Sequence, residues 1–230
     1  TGLPKGAIHL HHDMIIEADL YARGVLGLRE SDVCFSVAKL FFAYGLGNGL
    51  YFPLRVGATT IHLPGRPTAE GVFDVIDRHQ PTVFYSVPTS YAQLLHTAEV
   101  AERTDLGQVR MCVSAGETLP KGIFERWKER FGLDILDGIG STEILHIFIS
   151  NRPGHAKPGS TGQVVPGYEA RVVDEDGNEL PAGEVGTLLI KGDSIAAGYW
   201  NKHEATKKTS QGDWINTHDK FLVDEDGYFW

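Results

Sequence analysis

The chain has 230 residues, of which 42% are hydrophobic and 22% charged. That composition supports a packed core and excludes a disordered or coiled-coil chain, and at this length roughly 70% of the unfolded surface leaves water on folding. The 21 basic residues against 30 acidic ones leave a net charge of -9, which excludes a broad phosphate-neutralising face for nucleic acid, so any anionic ligand must be held locally.

From residue 10 to 140, short β-branched runs alternate with helix-like segments, the pattern of a parallel α/β sheet with right-handed crossovers. Strands are expected at Thr59 to Leu63, Val83 to Val87, Met111 to Ser114 and Asp134 to Leu136. Helices are expected at Ala69 to His79, Thr89 to Val100 and Pro120 to Phe131, the last with Pro120 at its first position. After about residue 155 the texture becomes Gly- and Pro-punctuated alternation, with strands expected at Tyr168 to Asp174, Gly186 to Lys191 and Trp214 to Thr217. Two acidic turns, Asp174 to Gly177 and Asp224 to Gly227, join such strands. The chain is therefore read as an α/β core at 1–155 and a β-rich portion at 156–230.

Cys34 and Cys112 lie in apolar runs and are expected as buried thiols rather than a disulfide or a metal pair. No run approaches the ~20 apolar residues of a bilayer span, and none resembles a signal peptide; a cytoplasmic protein with no membrane partner is the expectation. The first residue is Thr1, and the last five, Asp-Gly-Tyr-Phe-Trp, read as a strand without a closing turn, as in an internal fragment.

Thr1-Gly-Leu-Pro-Lys-Gly6 sets a lysine in a glycine-bearing loop ahead of an amphipathic helix. Glycines let backbone amides approach phosphate oxygens, although six such residues alone also make an ordinary turn, and the order is not that of a Walker loop. Asp137-Gly-Ile-Gly-Ser-Thr-Glu143 is placed on a loop just after a strand, where open α/β sheets bind ligands. Ser114-Ala-Gly-Glu-Thr-Leu-Pro120 follows another strand and also suits a helix cap. Trp214-Ile-Asn-Thr-His-Asp219 ends in a carboxylate able to accept from two adjacent hydroxyls. The aromatic and glycine run Ala38 to Gly49 can form either plain core or a slot for a flat ring. The cluster His9-Leu-His-His12-Asp13 matches no standard zinc spacing.

Taken together and in order, these motifs resemble the adenylate-forming superfamily of acyl-CoA ligases, and within it the benzoate-CoA ligases, over essentially the whole chain. The resemblance implies the large domain of such an enzyme, with the small C-terminal domain and its lysine and hinge lying outside this sequence. It implies ATP, Mg²⁺ and coenzyme A, an aromatic carboxylate as substrate, and a possible homodimer.

It assigns catalysis to Lys5, Thr142 and Glu143, with Glu143 holding Mg²⁺. Nucleotide contacts fall to Thr1, Gly2, Lys5, Gly6, Ala115, Gly116, Glu117, Asp137, Gly138, Ile139, Gly140, Thr142 and Asp219. The aryl acid falls to Ala43, Tyr44, Gly45, Gly138, His146 and Ile147. Gly183 to Gly192 and Gly198-Tyr-Trp-Asn201 are read as scaffold. Two positions depart from the superfamily pattern: Ile139 stands where an aromatic usually faces adenine, as in benzoate-CoA ligases, and His218 stands where a glycine is usual. The expected chemistry is attack of a carboxylate on the α-phosphate of ATP, then displacement of AMP by a thiol, with no protein nucleophile. Loading of an aryl group onto a carrier protein, or a non-catalytic nucleotide-binding fragment, are the alternative readings.

Overall fold

The computed structural model describes residues 4–230. A seven-stranded sheet runs in the order β2-β1-β3-β4-β5-β6-β7, from strands β1 (Val33–Ser36), β2 (Thr59–Ile61), β3 (Val83–Ser86), β4 (Met111–Ser114), β5 (Ile135–Gly140), β6 (Ile147–Ser150) and β7 (Gln163–Val164). The first five are parallel. β6 and β7 then pair antiparallel, so the sheet is mixed. A second, antiparallel sheet has the order β10-β11-β9-β8, from β8 (Glu169–Val173), β9 (Gly186–Lys191), β10 (Ser210–Gln211) and β11 (Trp214–Phe221).

Strands buried on both faces carry no polar alternation, and β3 (Val-Phe-Tyr-Ser) and β4 (Met-Cys-Val-Ser) are buried at every position. Successive side chains point to opposite faces. Val83, Tyr85 and Val113 join a core with Tyr21, Phe52 and Phe148, while Phe84 and Cys112 join one with Tyr91, Leu95 and Trp127. Helices α4 (Ala69–His79), α5 (Pro88–Val100) and α6 (Lys121–Phe131) supply that second core. The first face carries α1 (His11–Glu17), α2 (Ala43–Leu46) and α3 (Phe52–Val56), with α7 (His203–Thr209) beside the small sheet. Cys34 and Cys112 are free, buried thiols, as expected, and burial pushes both up to about 12.

Buried Asp32 ties the amino ends of the parallel strands together. It accepts from Nε and Nη2 of Arg110, at 2.9 and 2.7 Å, and from the Thr82 hydroxyl at 2.8 Å, the Arg110 pair having the bidentate geometry that gives the strongest ion-pair hydrogen bonds. The carboxyl ends are left to other uses.

Several boundaries differ from expectation. β5 continues through Asp137-Gly-Ile-Gly140, so half of the segment expected on a loop is strand, because β6 pairs back onto it. Pro120 is the N-cap of α6 rather than its first residue. The Lys5 loop does not run straight into a helix: Ala7 first bridges Tyr199, and α1 starts at His11. β1, β6, β7 and β10 were not anticipated, being short or lying inside motifs read for their chemistry. Both acidic turns form as read, with Asp174 and Asp224 each accepting two backbone N–H groups of the turn that follows.

Candidate active site

The carboxyl ends of β4 and β5 open into a cleft of about 400 Å³. Its wall contains Gly116 and Glu117 after β4 and Asp137, Gly138, Ile139 and Gly140 of β5, with Asp219 of β11 among the other lining groups. Three segments expected at a nucleotide, far apart in sequence, thus share one cavity. Gly116 has φ +91°, a left-handed conformation that costs glycine little.

Asp137 is only 6% exposed and its Oδ1 has no hydrogen-bond partner among the described residues. Burial pushes its carboxyl up to about 7. Asp219 sits at the rim, its backbone N–H donated to Thr217 Oγ1 at 3.2 Å. No described residue donates to its carboxylate, which is left available for a ligand. His218 adopts φ +64°, so histidine occupies the glycine-like conformation itself, held by its N–H to Asn216 Oδ1 at 2.8 Å.

A second cavity, about 190 Å³, lies on the other side of Gly116 and Gly140. It is lined by Phe42, Ala43, Tyr44, Ala115, Ser141, Thr142, His146 and Ile147 together with those two glycines. Four expected acyl-pocket residues therefore meet here. Gly45 is a packing position instead: a Cβ there would lie 2.1 Å from the Lys39 carbonyl oxygen. Gly138 lines the cleft rather than the slot and reaches the slot only through its packing on Ile147, whose Cγ2 would be 3.0 Å from an added Cβ.

His146 is caged by aromatic rings, with centroids 4.6 Å away for Phe52, 5.4 Å for Tyr44 and 5.7 Å for Tyr21. Burial drives its pKa down to about 3, so the ring is neutral at physiological pH. Nε2 lies 3.0 Å from the Tyr44 carbonyl; a carbonyl only accepts, so Nε2 carries the proton.

Thr1 and Gly2 lie outside the described residues. Lys5 is exposed, its Nζ 4.6 Å from the centre of the Tyr199 ring, and Gly6 accepts the Trp200 N–H at 2.8 Å. The Tyr199 hydroxyl donates to Glu143 Oε1 at 2.6 Å. Lys5 and Glu143 are thus brought to one aromatic side chain. Thr142 lines the slot, and its carbonyl accepts His9 Nε2 at 2.6 Å, while His9 Nδ1 meets Asp13 at 2.9 Å.

Among the described residues no three His, Cys, Asp or Glu side chains converge as a self-sufficient metal site. Glu143 has one oxygen engaged by Tyr199 and one with no described partner. This fits a hard cation that takes a single carboxylate and completes its shell with phosphate and water.

Tyr199, Glu17 and His9 were missed as contributors to the site. The Gly198-Tyr-Trp segment reads as scaffold because its pairing partner, residues 6–8, is 190 positions away. Glu17 lies in no motif singled out from the sequence, yet it is fully buried.

A cleft and a small aromatic slot adjoin at the carboxyl ends of a mostly parallel sheet. Residues 1–200 match the model of the AMP-binding enzyme family, and the chain belongs to that family. It is 54% identical over all 230 residues to a benzoate-CoA ligase of Thauera aromatica, covering 44% of that protein. Its fold matches crystal structures of a benzoate CoA ligase from Burkholderia xenovorans LB400 (TM-score 0.93, 52% identity, 98% of this chain and 46% of that one). It also matches the anthranilate CoA ligase AuaEII in complex with anthranoyl-AMP (TM-score 0.96, 48% identity, 100% of this chain and 44% of that one). The chain spans less than half the length of these relatives.

Proposed function

We propose that this chain carries the nucleotide and acyl-acid sites of an ATP-dependent aryl-CoA ligase of the benzoate type. The observation that carries the reading is the contact of the two cavities across Gly116 and Gly140. A carboxylate held in the slot then meets the α-phosphate of a nucleotide in the cleft where the two cavities adjoin, beside two glycines that put no side chain in the way. No nucleophilic side chain is required; rate comes from alignment and from neutralising two anions.

In this reading Asp219 accepts from the ribose hydroxyls, and the backbone around Gly116 and Gly138 runs along the nucleotide. Ile139 gives adenine an aliphatic wall. Lys5 and Thr142 face the phosphates, and Glu143 holds Mg²⁺, which when bound neutralises phosphate charge. Ala43, Tyr44, His146 and Ile147 enclose the ring of the acid, and coenzyme A accepts the acyl group. A fully buried neutral His146 gives the slot no formal cation, so the acid's carboxylate gains nothing by turning inward and points to the cleft.

The test is benzoate-dependent exchange of pyrophosphate into ATP by the full-length protein, followed by a comparison of coenzyme A with a carrier-protein thiol as acceptor. Exchange that is the same with and without an aromatic acid would refute the reading. Transfer to the carrier thiol alone would replace it with carrier loading.

A further inference from the structure

Glu17, at the end of α1, is fully buried directly behind His146. One carboxyl oxygen, Oε2, is hydrogen-bonded by the Tyr168 hydroxyl. The other, Oε1, has no hydrogen-bond partner among the described residues and lies 3.9 Å from His146 Nδ1, which has none either. Buried polar atoms left unpaired are costly, so two of them facing each other across one short gap constrain the arrangement.

The hydrogen count settles what passes between them. His146 Nε2 spends its proton on the Tyr44 carbonyl, so Nδ1 offers only a lone pair. Glu17 is the group facing that lone pair, and as a carboxylic acid it can supply a hydrogen. Burial pushes Glu17 up to about 8, the opposing influence being the Tyr168 hydrogen bond, so the acid form is the one present near neutrality. The gap closes by about 1 Å of side-chain movement or with one bridging water.

The same group reaches the catalytic turn by a second route. Tyr168 Oη, whose proton goes to Glu17, is 2.5 Å from Ser194 Oγ, which has one proton to give either to Tyr168 or to the Ile144 carbonyl at 2.8 Å. Ile144 follows Glu143, whose own carbonyl accepts the Ala196 N–H at 2.7 Å.

We propose that Glu17 is a positioning residue for the acyl slot: through His146 it fixes the wall against which the ring of the acid rests. It touches neither substrate nor nucleotide and acts on affinity for the acid. This inference rests on the acyl-slot reading above.

The experiment uses the full-length protein, pyrophosphate exchange, and separate titrations of benzoate and ATP. Glu17→Met, equal in length and without a hydrogen to give, is expected to raise the benzoate KM about tenfold while the ATP KM holds. Glu17→Asp keeps the carboxyl but withdraws it by one methylene, and is expected to behave the same way if the Met variant does not fold. Glu17→Gln, whose amide N–H can serve His146 while its oxygen serves Tyr168, is expected to restore the benzoate KM. The ¹⁵N resonance of His146 Nδ1 reports the hydrogen bond directly and should move in the Met and Asp variants but not in Gln.

Equal rises in both KM values, or an Nδ1 resonance that ignores position 17, would overturn the proposal. Wild-type enzyme with no acid-dependent exchange would overturn the acyl-slot reading instead.

Discussion

Tyr199 shows how one side chain can serve two charged groups. It donates to Glu143 at 2.6 Å while its ring lies under Lys5 Nζ; a hydrogen bond to a charged partner contributes about 1.5–3 kcal/mol. Tyr199→Phe keeps the ring and loses the donor. Glu143 then turns more freely, and half-saturation by Mg²⁺ in the exchange assay is expected to shift upward about tenfold.

Protonation at Glu17 and Asp137 sets a pH dependence whose sign follows from burial. Both folded-state values are raised, to about 8 and about 7, above ordinary carboxyl values near 4. Between those limits the unfolded chain has released protons the native state still holds, so stability falls as pH rises and levels off past about 8. His146 acts in the opposite sense, but only below its ordinary value of about 6.5, where the unfolded state gains a proton the buried ring refuses. The melting temperature is therefore expected to fall from pH 6.5 to 8, and Glu17→Gln to flatten most of that fall; a profile of denaturation midpoint against pH checks both.

Much of this was legible residue by residue. Asp137, Gly140, Asp219, Tyr44 and His146 all line one of the two adjoining cavities, because their motifs carry chemistry within a few positions. Glu17 and Tyr199 were not legible, since each acts through a partner more than 50 residues away and nothing local marks it. Gly45 is absent from the lining of the slot, and its lack of a side chain lets α2 approach the backbone at Lys39.

At the scale of elements, the turn from β5 into β6 does most to build the site. β5 ends in Gly140, where an added Cβ would lie 2.4 Å from the His146 carbonyl oxygen, and Leu145 holds φ +83° in the turn between them. A buried leucine in that region is strained by about 1–3 kcal/mol, and it is kept there by the pairing of the two strands. The result places Thr142 and His146 in the lining of the slot, with Glu143 on the turn between them. Gly140→Ala is expected to cost about 1–3 kcal/mol of stability, because the obstacle is backbone that cannot rotate away, and to lose acid-dependent exchange out of proportion to the fraction unfolded; calorimetry beside the exchange assay separates the two effects. Sequence periodicity found β3, β4 and α4 almost to the residue, since long apolar runs and clear caps bound them. It missed β6, whose Ile-Phe-Ile-Ser looked like an appendage of the motif before it.

For the whole molecule, two sheets serve one cleft: the large sheet supplies its floor through β5, and the small sheet brings Asp219 to its edge through β11. Among the described residues no helix is long and apolar enough to cross a membrane. Lys5 stands exposed, with an aromatic face as its described contact, so in the proposed reading the described residues meet phosphate charge only in part. The 230 residues alone are expected to bind nucleotide weakly and to turn over little; titration with AMP, read by the fluorescence of Trp230 at the cleft, and an assay for benzoyl-CoA check this, and brisk turnover by the 230 residues would contradict it.

The bare stretch at Gly116 and Gly140 has a pharmacological corollary. Two occupants that would meet where no side chain intrudes can be fused into one molecule without enlarging either chamber. Because tethering charges the entropy of immobilisation once rather than twice, a hydrolysis-resistant benzoyl sulfamate of adenosine should outcompete benzoate and AMP supplied together.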